Sequence, residues 1–125
     1  MKEQIKNRTK QFAIDCWRLC KEYPKTREFD AYCRQLIRCS SSVGANYRAA
    51  CRAKSSADFI HKLKIVEEEV DESMFFLEVF MPIHENNQEE LKRLHKEADE
   101  LTSIIVASIK TVKSKSSINK SKIIN

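Results

Sequence analysis

Arg34, Arg38, Arg48 and Arg52 recur at helical spacing. A helix advances about 100° per residue, so Arg38 falls about 40° and Arg48 about −40° from Arg34, with Arg52 back near 0°. On the same scale Phe29, Tyr32, Leu36, Val43, Tyr47 and Ala50 centre near about 200°. The four arginines therefore form one stripe opposite the apolar side. Guanidinium forks in a row suit phosphate oxygens or a partner's carboxylates. A merely solvated face fits the same pattern. No aromatic residue of that segment interleaves with the stripe, so base stacking is not indicated there.

A complementary set of charges follows. Glu67, Glu68, Glu69, Asp71 and Glu72 crowd five acids into six positions. Glu67, Asp71 and Glu78 run along one helical edge. Glu68 and Glu72 lie further round, beside Ile65, Phe76 and Val79. Those apolar residues sit about 100–160° from the Phe59, Leu63 and Val66 seam, too wide for a single stripe. A small helix with two apolar faces has a second protein surface to bury. Ile65, Glu68, Glu72, Phe76 and Val79 are thus the expected subunit interface. Arginines pairing with acids across it would set register more than affinity.

Other chemistries find little support. A di-iron bundle site needs Glu-x-x-His on two helices. The nearest approach is Asp58-x-x-His61, a single half-motif with the wrong acid. The histidines at 61, 84 and 95 have no evident Ser or Cys partner for nucleophilic catalysis. Cys16 and Cys20 are one turn apart and could form half a metal site, but nothing in the histidine spacing completes it. Five cysteines, an odd number without CxxC spacing, fit reduced and mostly packed thiols in the cytoplasm. No catalytic residue, metal or cofactor is expected, and the chain reads as no enzyme.

These side chains must be positioned by helices. With 125 residues, one glycine and two prolines, the composition argues for one domain and against an all-β fold or a glycine-cradled phosphate site. No stretch approaches the roughly 20 apolar residues of a membrane helix. The charged N-terminal stretch lacks a following apolar run, so no signal peptide is expected. The first helix is expected from about Lys6 to Tyr23, through Phe12, Cys16, Leu19 and Cys20, with Pro24 as its stop. The second is expected from an N-cap at Thr26 to about Arg52. Gly44 inside it costs about 1 kcal/mol relative to alanine, so it marks either a kink or a close backbone approach.

The third helix is expected to open at Ser55 with Asp58 as capping-box partner and to end at Pro82. Its seam is Phe59, Leu63, Val66, Val70, Ser73, Leu77 and Phe80, at alternating steps of four and three. The fourth is expected to open near Asn87 and to follow Leu91, Leu94, Ala98, Leu101, Ile105, Ser108 and Val112. Short connections favour an all-α, antiparallel up-and-down four-helix bundle over residues 1–113. Residues 114–125 lose the pattern and read as a Lys/Ser-rich flexible tail. The net charge of +5 sits at the ends: residues 1–10 hold four bases against one acid, and residues 113–125 hold Lys113, Lys115, Lys120 and Lys122 with no acid. Such ends can contact nucleic-acid phosphates.

The stretch Ser42-Val43-Gly44-Ala45-Asn46-Tyr47-Arg48-Ala49-Ala50-Cys51-Arg52-Ala53-Lys54-Ser55 resembles the signature of the four-helix-bundle proteins encoded in intervening sequences of bacterial 23S rRNA genes. The likeness continues through Phe59, Lys62-Leu63, Ile65-Val66, Glu68-Glu69, Asp71-Glu72-Ser73 and Leu77-Glu78. It is dense over about 34–80 and does not reach the lysine tail. The resemblance implies a homopentameric ring and kinship with accessory proteins of diversity-generating retroelements, which bind nucleic acid and a reverse transcriptase. Phe75-Phe76 stands where relatives often carry tryptophan. The expected function is a non-enzymatic oligomer associated with RNA or DNA through Arg34, Arg38, Arg48, Arg52 and the four tail lysines. A protein-binding scaffold without nucleic-acid affinity is the alternative.

Overall fold

A computed structural model describes the backbone of residues 1–124 and the side chains of residues 1–116. Four helices follow one another: α1 (Lys2–Lys21), α2 (Arg27–Cys51), α3 (Ser56–Ile83) and α4 (Gln88–Ile124). Each packs on its neighbour in the chain, and α1 closes the ring against α4. Among the described residues the diagonal pairs, α1 with α3 and α2 with α4, share no close backbone contact. That is the up-and-down bundle expected from short connections.

The helix ends follow local chemistry. Thr26 is the N-cap of α2, and its side chain accepts from the Phe29 N–H at 3.2 Å. Ser55 caps α3 by accepting from the Asp58 N–H at 3.1 Å. Asp58 reaches back one residue beyond the usual box partner and accepts from the Lys54 N–H at 3.2 Å. Lys62 Nζ donates to the same carboxylate at 2.9 Å. Asn87 has φ 65°, a left-handed turn that asparagine tolerates, just before α4 begins. The Gln88 side chain donates to the Met81 and His84 carbonyls at 2.8 and 2.6 Å, tying the start of α4 to the end of α3.

Two helices run further than periodicity predicts. α1 begins at Lys2, because Ile5 already belongs to the core and is 2% exposed. α4 continues to Ile124, since no proline or glycine follows Pro82 to stop it. The tail expected over residues 114–125 falls mostly outside the residues whose side chains are described.

The core seams fall where the spacing puts them. Leu63, Val66, Val70, Leu77 and Phe80 of α3 and Leu91, Leu94, Ala98, Leu101 and Ile105 of α4 are buried. At the far end of α4 the buried position after Ile105 is Ile109, not Ser108. A straight helix drifts about 20° per heptad, which moves the seam one place along. Buried hydroxyls find local partners: Thr9 donates to the Lys6 carbonyl at 3.1 Å and Ser73 to the Glu69 carbonyl at 2.8 Å. One end of the bundle is filled by stacked rings, Tyr23 on Phe80 with centroids 4.6 Å apart and Phe29 on Tyr23 at 5.3 Å.

Gly44 resolves as a close approach. A Cβ placed there would lie 3.3 Å from Thr9 Oγ1 and 3.5 Å from the Thr9 backbone carbon. The missing side chain lets α2 pass against α1. Ion pairs fasten the α1–α4 seam: Arg8 to Glu97 and Glu100, and Arg93 to Asp15.

Candidate nucleic-acid interface and subunit surface

The arginine stripe stays on the outside of α2, yet the neighbouring helices divide it. Arg34, Arg38, Arg48 and Arg52 are all exposed. Arg38, the member rotated towards α3, donates to Glu72 at 2.5 Å and lies 3.6 Å from Glu69. Arg38 thus pairs with acids of its own chain. Hydrogen bonding to Glu72 and its negative charge raise the Arg38 pKa above its ordinary value. Glu69 moves upward too, because desolvation and the nearby Glu72 and Glu68 outweigh the attraction of Arg38. Its Oε2 is buried and makes no hydrogen bond.

The other three arginines lean the opposite way, towards α1. Arg48 and Arg52 join Lys6, Asn7 and Glu3 around a shallow cleft of about 310 Å³. Arg34 lines a second cleft of about 330 Å³ with Lys21, Lys25 and Trp17. Among the described residues Arg34, Arg48 and Arg52 make no ion pair. The Lys21 ammonium sits 4.7 Å from the Trp17 ring centroid, a cation–π contact. Trp17 is 50% exposed.

Trp17 is the residue that reading the α2 stripe alone misses. The stripe has no aromatic of its own, and the adjacent helix supplies one beside Arg34. Its departure from the Phe12, Cys16, Leu19, Cys20 and Tyr23 spacing of α1 is the signal that marks it. An exposed indole among cations can stack on an unpaired base.

The lysines of the C-terminal stretch divide at the limit of description. Lys113 and Lys115 are exposed on α4. Lys115 borders a groove of about 830 Å³ at the opposite end from the aromatic stack, with Lys2 and Lys54 around it and Phe59, Ile104 and Val112 in its wall. The side chains of Lys120 and Lys122 lie outside the described residues.

On α3 the second apolar face is present, with a different centre. Ile65, Phe76 and Val79 are half-buried, Glu72 is half-buried against Arg38, and Glu68 is exposed. Phe76 packs near Tyr32 of α2, ring centroids 6.0 Å apart, and edge-on to Phe75 at 5.3 Å. The rings open to solvent are Phe75, 57% exposed, and Tyr32, 40%, with Ile83 at 49% on the same side. Tyr32 lies beside Phe76 and Phe76 beside Phe75 where α2 meets α3, Ile83 follows Phe76 by about two helical turns on α3, and none of the four lines the basic clefts.

Among the described residues no three His, Cys, Asp or Glu side chains group closely enough to hold a metal ion. His95 Nε2 lies 2.9 Å from Glu78, a link between α4 and α3. No described helix is long and apolar enough to cross a membrane.

Residues 1–107 match the family model for the 23S rRNA-intervening sequence protein. A crystal structure of a protein of unknown function from the S23 ribosomal protein family of Bacteroides thetaiotaomicron superposes with a TM-score of 0.79. The two chains are 29% identical, and the match covers 88% of this chain and 99% of that one. No curated protein matches.

Proposed function

The chain belongs to the 23S rRNA-intervening sequence protein family, and we propose that it acts there as a non-enzymatic homo-oligomer that binds nucleic acid through its α1–α2 face. The observation that carries the reading is the pair of basic clefts. Arg34, with Lys21 and Lys25, and Arg48 and Arg52, with Lys6, present cations along one side of the molecule. Three of those arginines have no carboxylate to satisfy them among the described residues. Arg38 contributes less, being held by Glu72.

Phosphate contacts of this kind are individually weak and read little sequence. Assembly makes them add. Each chain brings the same clefts, so a ring of five would present the face five times, and binding at one site would raise the local concentration for the next. The apolar surface of Phe75, Tyr32 and Ile83 is where we place the subunit contact, because it lies apart from the basic face and leaves that face free. Trp17 stacking on an unpaired base would favour single-stranded or looped segments over a regular duplex.

The test is a fluorescence anisotropy titration of the purified protein with a single-stranded RNA, a hairpin RNA and a DNA duplex, each at two salt concentrations. Binding that weakens steeply with salt, and that prefers the looped or single-stranded probes, supports the reading. No binding by the intact oligomer at low salt overturns it and leaves the protein-binding scaffold.

A further inference from the structure

Cys20 on α1 and Cys33 on α2 face each other across the helix crossing. The Cys20 thiol approaches the Cys33 carbonyl at 3.8 Å, and the Cys33 thiol approaches the Cys20 carbonyl at 3.9 Å. Such crossed contacts place both sulfurs between the same two stretches of backbone. A disulfide needs Cα atoms about 4.4–6.8 Å apart and side chains aimed at each other, and the crossed contacts bring the two cysteines together from facing helices.

The two residues differ in surroundings. Cys20 is buried, 7% exposed. Cys33 is half-buried and, with Cys20, lines the floor of the 330 Å³ cleft that opens beside Trp17, Lys21, Lys25 and Arg34. A small solute therefore reaches Cys33 first. The charged groups facing it are Lys21 from α1, Lys25 and Asp30 from the turn and first residues of α2, and Arg34 one turn along. The Cys33 thiol is held below its ordinary pKa, chiefly by hydrogen bonding from Cys20 and also by Lys25, against burial and the charge of Asp30. Cys20 shifts the other way, through the same hydrogen bond and its burial. An accessible, more acidic thiol beside a protected one is the arrangement of a peroxide-reactive cysteine with its resolving partner.

We propose that Cys33 and Cys20 form a modification site for hydroperoxides, at which oxidation of Cys33 leads to a disulfide joining α1 to α2. The Cys33 thiolate attacks one peroxide oxygen. The O–O bond breaks, an S–O bond forms, and the departing hydroxide takes up the proton the thiol had released, leaving as water. Cys20 sulfur then attacks the Cys33 sulfenic acid. The S–S bond forms as the S–O bond breaks, and hydroxide leaves as a second water with the Cys20 proton. Two thiols are oxidised and one hydrogen peroxide is reduced to two waters.

The remaining cysteines lack this arrangement. Cys16 and Cys39 are buried, and burial lifts both thiols, Cys16 to about 12. Cys51 is half-buried at the far end of α2, away from the other four. The proposal stands apart from nucleic-acid binding, although the two would share one cleft.

The experiment treats the reduced full-length protein with hydrogen peroxide, blocks remaining thiols by alkylation under denaturing conditions, and maps the peptides by mass spectrometry. A linked Cys20–Cys33 peptide is expected, with titratable thiols per unfolded chain falling from five to three. Cys33 should be lost about tenfold faster than Cys16 or Cys39, in line with its exposure and acidity. In Cys20→Ser the Cys33 sulfenic acid should persist and be trapped by dimedone. The Cys51→Ser variant should still form the link. Unlinked Cys20 and Cys33 after oxidation of the wild type, or disulfides spread evenly over the five cysteines, would overturn the proposal without any variant having to fold.

Discussion

Arg38 on α2 donates to Glu72 on α3 at 2.5 Å, within a single chain. This contact breaks the symmetry of a stripe whose members look equivalent in sequence. One arginine is already spoken for by the acids of α3. Arg34 turns to the α1 side beside Lys21, Lys25 and Asp30, and Arg48 and Arg52 lie beside Lys6 and Glu3, none of the three forming an ion pair among the described residues.

Nucleic-acid binding should therefore respond unequally along the stripe. Arg48→Gln and Arg52→Gln are each expected to lower affinity and to reduce the slope of log K against log salt by about one, the loss of one phosphate contact. Arg38→Gln should leave that slope unchanged. Anisotropy titrations across several salt concentrations read both quantities, and an Arg38 effect equal to that of Arg48 would defeat the distinction.

At the α1–α2 crossing, Gly44→Leu should destabilise the bundle by about 1–3 kcal/mol through overpacking. Gly44→Ala should stay within about 1 kcal/mol of wild type, because the gain in helix propensity offsets the tight contact with Thr9. Combining Gly44→Leu with Thr9→Ala should recover part of the loss, with a coupling of about 0.5 kcal/mol or more. Urea unfolding of the four proteins completes the cycle.

For the subunit contact, Phe75→Arg is expected to dissociate the oligomer while leaving helix content and melting of the bundle nearly intact, since this ring is mostly outside the fold. Phe76→Ala should weaken the bundle itself by about 1–3 kcal/mol, less than the roughly 3–5 kcal/mol of a fully buried phenylalanine. Light scattering paired with circular dichroism separates the two effects. A wild-type mass of a single chain would remove the contact altogether.

Glu69 gives a pH dependence with a definite sign. Its carboxyl binds a proton more tightly in the folded chain than its ordinary value of 4.5. The folded state therefore holds more protons than the unfolded one between those two pKa values, and stability falls as pH rises through that window. The penalty is fully present only above the raised folded-state pKa. Glu69→Gln should melt at a higher temperature than wild type near neutral pH, and the difference should shrink as pH falls towards 4.5. A difference that grows on acidification would mean that the attraction to Arg38 dominates.

Much of this architecture is legible in the sequence because it is local. Thr26 and Ser55 mark helix starts through bonds to residues three positions on, Pro24 stops α1 because it has no N–H to donate, and the core seams follow from helical period alone. Gly44 announces an unusual position but not which of its two uses applies; only the facing Thr9 decides. The surfaces are less legible for a related reason. A helical wheel gives the angle of Arg38 on its own helix, while its pairing depends on how α3 is rotated beside it. Trp17 and Arg34 come from different helices, as do Tyr32 and Phe76, and no spacing within one segment brings them together. Phe75 and Phe76 are adjacent in sequence, and which is exposed follows from the seam of α3.

The ion pairs that fasten α1 to α4 also bear on the order in which the chain assembles. Arg8 and Glu97 are separated by 89 positions, whereas Arg38 and Glu72, which bridge α2 and α3, are 34 apart. Closing the longer loop costs about 1 kcal/mol more chain entropy, and α1 and α4 share the sparsest packing of any neighbouring pair to repay it. The α2–α3 hairpin should thus be structured in the folding transition state while the α1–α4 seam is still open. Substitutions at Arg8 or Arg93 would then act mainly on the rate of unfolding, so that this seam governs how long a folded chain lasts rather than how quickly it forms.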